Sequence, residues 1–144
     1  MSNSDDNYIA GMDESDKITF LKVLSVLAKS DGSFDENQKE RIEDTAIMFG
    51  ISADKIPAIL QEKSQEETIK KASEIKNRRV ALALIREACF LANSDGDLKD
   101  EEILYIGKIG EAMGIDLEKI EQISQWVIDH IILQAQKKII FETA

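Results

Sequence analysis

The sequence predicts an all-α domain, and three observations carry that prediction. Helix breakers are scarce, with one proline (Pro57) and seven glycines in 144 residues. The chain is rich in Ala, Leu, Ile, Glu and Lys, which lose little on entering a helix. Apolar side chains recur at spacings of three and four, as in Ile18, Leu21, Leu24, Ser25, Leu27 and Ala28. With 43% apolar and 32% charged residues, a chain of this length can bury one sizeable core without disulfides.

Residues 1–13 are polar and acidic with little to bury, and are expected to form a disordered tail. The domain proper is expected over 14–144. Asp13 or Ser15 can cap a first helix that ends at Asp31-Gly32, where glycine accepts the left-handed backbone of a helix exit. Ser33 and Glu36 have the spacing of a capping box, opening a helix over about 34–49 with Gly50 at its exit. Ser52 or Asp54 starts a shorter helix that tolerates Pro57 in its first turn. Residues 64–77 are highly charged, and Ser64 with Glu67 marks a connecting helix. A long apolar-rich helix follows over about 78–93.

The second half then repeats the first. A shift of 64 residues, without gaps, pairs Leu27-Ala28-Lys29-Ser30-Asp31-Gly32 with Leu91-Ala92-Asn93-Ser94-Asp95-Gly96. It also pairs Gly50-Ile51 with Gly114-Ile115 and Lys55-Ile56 with Lys119-Ile120, and ten of thirty positions from Leu27 to Ile56 are identical. Shared helical composition does not keep glycines in register, so a duplicated three-helix unit is expected. Its copies would span about 14–61 and 78–125, with a C-terminal helix after the second. Two such units, each with an open apolar face, would close on each other with pseudo-two-fold symmetry, for about seven helices in all.

The net charge of −10 argues against nucleic acid or anionic lipid as a partner and favours cations or basic proteins. No uninterrupted apolar run of about 18 residues is present, so no membrane insertion is expected. The acidic start lacks the pattern of a secretion signal, which predicts a cytoplasmic protein. Cys89 is the single cysteine and His130 the single histidine, so neither a cysteine-rich zinc site nor histidine-paired catalysis can be built within one chain. Cys89 falls on an apolar helix and is expected to be buried and inert; His130 is expected to be packed or half-exposed. Lys76-Asn-Arg-Arg79 and Lys137-Lys138 read as solvated or ion-paired surface rather than a phosphate site. No phosphate loop or catalytic triad order appears, and no enzyme is expected.

The repeated helix–Asp-Gly–helix junction remains as the functional candidate. Oxygen-rich clusters form there: Asp31, Asp35 and Glu36 in one copy, and Asp95, Asp97, Asp100, Glu101 and Glu102 in the other. Such groups suit hard cations. An EF-hand does not fit. With Gly96 at loop position six, Asn93, Asp95 and Glu102 fall at positions three, five and twelve, but the leading ligand position holds Leu91. In the other copy it holds Leu27, and position twelve holds Gln38. A structural reading stands beside the cation: glycines as exits, Ser33 and Asp97 as caps, and acids in first turns where the helix dipole favours them. Asp31 and Asp95 face the unfavourable end of that dipole and require another reason, either local backbone bonds, a basic partner or a cation.

At these junctions the sequence resembles the TerB-like (tellurite-resistance) family. The pattern reads Ala92-Asn-Ser-Asp95-Gly96-Asp-Leu98-Lys-Asp-Glu-Glu102, closed by Gly114-Ile115, and Ala28-Lys-Ser-Asp31-Gly32-Ser-Phe34-Asp-Glu-Asn-Gln38, closed by Gly50-Ile51. Family members run Ala-Asp-Gly directly, whereas two residues intervene here, and Gln38 replaces the acid. The resemblance covers about residues 14–130. It implies an all-helical, duplicated fold, a cytoplasmic stress-associated role, action within larger protein assemblies, and a divalent cation such as calcium or magnesium. Asp31, Asp95 and Glu102 are the candidate ligands. Related domains are fused to a co-chaperone J-domain, but no His-Pro-Asp motif occurs here. The expected function is a non-enzymatic TerB-like domain with a cation at its junctions; the alternative is an acidic protein–protein interaction module, adapter or co-chaperone-like, whose junctions are only structural.

Overall fold

A computed structural model describes residues 4–30, 32, 34–94 and 98–142. Seven α-helices form one compact domain: α1 Glu14–Lys29, α2 Glu36–Met48, α3 Ile56–Gln61, α4 Gln65–Ala72, α5 Arg78–Ala92, α6 Asp100–Ala112 and α7 Leu117–Glu142. Two short 3-10 segments, Ser4–Gly11 and Ala53–Lys55, complete it. No strand occurs among the described residues.

The apolar stripes dictate the packing. Helix α1 presents Phe20, Leu21, Leu24 and Leu27 and touches α2, α3, α4 and α5. Helix α5 presents Val80, Leu84, Ile85 and Leu91 and touches α1, α6 and α7. These two helices are the centre of a single core, and the other elements cover them. The connecting helix α4 lies on α1 and α6, where the Thr68 and Tyr105 hydroxyls meet at 2.5 Å in a buried contact. Burial pushes the Tyr105 phenol well above its ordinary range.

The helix ends follow local chemistry. Asp13 caps α1, accepting from the Asp16 N–H at 2.8 Å, while the Asp16 side chain reaches back to the Asp13 N–H. Asn77 caps α5 and Ser64 caps α4. The cap of α2 differs from the expected Ser33–Glu36 pair: Asp35 accepts from the Gln38 N–H at 2.8 Å, and Gln38 returns the bond to the Asp35 N–H at 3.2 Å. The helix therefore begins at Glu36, leaving Phe34 outside it beneath the Lys29 ammonium, 5.2 Å from the ring centre. Ser33 and Asp97, the other expected caps, lie outside the described residues. The residue before α6 is Lys99, which has no acceptor to offer as a cap.

Two features depart from the sequence reading. From Ser4 onward the amino-terminal segment is a 3-10 helix, not a tail, and Tyr8 and Met12 join the core. The Tyr8 ring stacks on Phe20 at 5.7 Å and meets Phe49 edge-on at 6.1 Å. One large aromatic anchors a segment whose remaining residues show no apolar period. The second departure is α7, which continues unbroken past residue 125 to Glu142, about 39 Å at helical rise. No proline or glycine interrupts that stretch.

Candidate functional site

Glu102 is the one predicted cation ligand among the described residues; Asp31 and Asp95 lie outside them. Its side chain is 2% exposed, and its Oε1 accepts the Lys99 N–H at 3.0 Å, closing the first turn of α6. Gln38 occupies the same place in α2, 4% exposed, with its Oε1 on the Asp35 N–H. A carboxylate and an amide thus do one job, back-bonding the first turn, which is what their shared spacing encodes. No group of three or more His, Cys, Asp or Glu residues suited to a metal forms among the described residues.

The glycine exits also behave alike. Gly50 and Gly114 both have φ of +77°, and Gly32 has φ of +82°; Gly96 lies outside the described residues. The Ile51 N–H donates to Ala46 O at 3.0 Å, and the Ile115 N–H to Gly110 O at 2.8 Å. These are the bonds that close a helix through a left-handed residue.

Cys89 is buried, and burial pushes its thiol up to about 11, so the thiolate is disfavoured at neutral pH. His130 is half-buried in an aromatic cluster with Phe90 and Trp126, its ring stacked 5.3 Å from that of Trp126.

A cleft of about 750 Å³ opens between the amino-terminal segment, α5 and α7. Helix α5 supplies Arg78, Arg79, Leu82, Ala83 and Arg86, a surface that steps along the helix in turns of three and four. Helix α7 supplies Lys119, Ile123 and Trp126, and Tyr8 closes one end with the Arg86 guanidinium 5.5 Å from its ring centre. Four cations and no acid face this space. The reading of Arg78 and Arg79 as scattered surface charge misses it, because Lys119 and Trp126 join them only once α7 lies on α5.

The last three turns of α7 form a separate exposed surface. Every residue from Ile132 to Glu142 is exposed, including Ile132 (51%), Leu133 (60%), Ile139 (65%), Ile140 (68%) and Phe141 (77%). No helix among the described residues is long and apolar enough to cross a membrane.

No family model matches the chain, and no curated protein and no solved structure matches it.

Proposed function

We propose that this chain is a non-enzymatic, TerB-like assembly module that docks through the free end of α7 onto a second copy of itself. The observation that carries the proposal is the uncovered apolar surface from Ile132 to Phe141. A helical end of this length gains little from propensity alone, so packing must hold it. Each of its large apolar side chains gains roughly 1.5 to 3 kcal/mol when fully covered. Ile128, Ile132, Ala135 and Ile139 follow the four–three–four spacing of a coiled-coil seam, which a copy of the same helix can complete. Charge points the same way. Residues 131–144 carry Lys137 and Lys138 against Glu142, net +1, while the remaining 16 bases and 27 acids make the body net −11. A basic apolar arm is thus complementary to the acidic body of another copy.

The module is built from a duplicated three-helix unit with a pseudo-two-fold relation. Helices α1 and α5 start 64 residues apart, α2 and α6 match at both ends at that offset, and the paired glycine exits and first-turn back-bonds support the duplication. In this reading Gln38 and Glu102 are structural, and a cation at the junctions would depend on Asp31 and Asp95.

Sedimentation equilibrium of the full chain tests the assembly. A concentration-dependent dimer is expected, and Ile132→Glu with Ile139→Glu should return it to monomer without lowering its melting temperature. A wild-type chain that stays monomeric at high concentration, or a dimer indifferent to those substitutions, refutes the proposal.

A further inference from the structure

We propose that the cleft between α5 and α7 is a binding site for a small organic anion, one that joins a phosphate or carboxylate head to a flat or aliphatic body. The site and its ligand class are separate from the assembly surface at the end of α7.

Three observations carry this. The cleft runs against the composition of the chain. With 28 acids to 18 bases overall, four charged residues line it and all four are basic: Arg78, Arg79, Arg86 and Lys119. The charges are also not neutralised internally. Among the described residues, Arg78, Arg79 and Lys119 make no ion pair, whereas the neighbouring Arg86 bonds Glu87 through Nε at 3.2 Å. The placement is unfavourable for folding alone. Arg78 and Arg79 are the first two residues of α5, beside the positive end of the helix dipole, where an anion is favoured and a cation is not. Like charges gathered at that end and left without partners are explained by an anion that enters from outside.

The remaining wall defines the rest of the ligand. Leu82, Ala83, Ile123 and the faces of Trp126 and Tyr8 are apolar, and the volume is in the range of small-molecule sites. Arginine forks suit the planar or trigonal oxygens of a carboxylate or phosphate. Trp126 offers a face for a ring. A bare inorganic ion would leave most of this wall wet, so head and body are both required.

Trp126 is the only tryptophan, so the indole N–H gives a single proton–nitrogen NMR signal that reports from inside the cleft. The full chain is titrated with phenyl phosphate, with phenylacetate, and with benzyl alcohol as the neutral body alone. Saturable movement of the Trp126 signal with either acid is expected, weakening as salt is added. The tighter of the two acids identifies the head as phosphate or carboxylate. Arg78→Gln with Arg79→Gln should weaken binding at least tenfold, and Lys119→Gln on the opposite wall should also weaken it. Ile132→Glu with Ile139→Glu should leave it unchanged. Equal movement with benzyl alcohol, movement that never saturates, or an affinity indifferent to all three basic residues overturns the proposal.

Discussion

The third helix of each half begins in the same register and ends differently. At the offset of 64 residues, the 3-10 turn Ala53–Lys55 and α3 correspond to the start of α7. Helix α3 stops at Gln61, and the chain turns at Glu62 with extended backbone into α4. Helix α7 runs on for 26 residues. The difference traces to α1 and α5. Lys29 sends its ammonium to the carbonyls of Leu60 and Glu62, the latter at 2.8 Å, and satisfies groups that a helix end would leave open. Its counterpart, Asn93, turns its amide back to Cys89 O at 2.8 Å on its own helix and reaches nothing on α7. One half therefore closes on itself, and the other leaves an uncovered end. In the proposed function that uncovered end is the surface that assembles.

The largest test of the comparison lies in the core. Leu27 and Leu91 are counterparts, each 1% exposed or less, at the ends of the two central helices. Leu27→Ala and Leu91→Ala should each lower stability by about 2 to 5 kcal/mol in urea unfolding, by lost burial and the cavity left behind. Losses that agree within about 1 kcal/mol would show equivalent packing around the two positions, and a wide gap would show that one half carries the core. Circular dichroism with the two variants side by side measures it.

Much of this framework is legible in the residues, and the exceptions have physical reasons. The helices and their exits are readable because apolar spacing and glycine position act locally, as at Gly50 and Gly114. The cap of α2 is misplaced because Ser33–Glu36 and Asp35–Gln38 satisfy the same spacing rule two residues apart. The docking of the amino-terminal segment rests on one ring, Tyr8, which has no period to betray it. The long α7 is missed because a repeat length was imposed where no breaker exists. The cleft is illegible because Arg79 and Lys119 are 40 positions apart, and nothing local in either segment announces the other.

A second test uses Cys89, the counterpart of Ser25. Ser25 donates to Leu60 O at 3.1 Å in the first half, while the Cys89 thiol is buried against α7 near Ser124. Burial raises the folded thiol from 9.0 to about 11. The folded state therefore holds the proton more tightly, so this contribution is whole below about pH 9 and is lost as the pH climbs through 11. Two units correspond to about 2 to 3 kcal/mol. Urea unfolding at stepped pH should show this alkaline loss in the wild type and a shallower slope in Cys89→Ser. Parallel slopes would mean that the thiol is not titrating with folding.

The smallest expected effect is the one that separates a helix cap from a cation ligand. Glu102→Gln converts the second half to the arrangement Gln38 already makes in the first, with Oε1 still able to accept the Lys99 N–H. One charge-assisted hydrogen bond becomes a neutral bond of the same geometry, so the change in stability should stay below about 1 kcal/mol. Thermal melts of the metal-stripped protein, with and without calcium or magnesium, complete the test. If Glu102 serves only the first turn of α6, wild type and variant respond to the cations alike. If it is a ligand, the cations raise the wild-type melting temperature, because they bind the folded state alone, and the variant loses that rise. Since Gln38 lacks the charge a calcium ligand supplies, Gln38→Glu provides the converse. A cation-dependent gain there would mean that the first junction lacks only its acid, and that the two halves differ by chemistry rather than by shape.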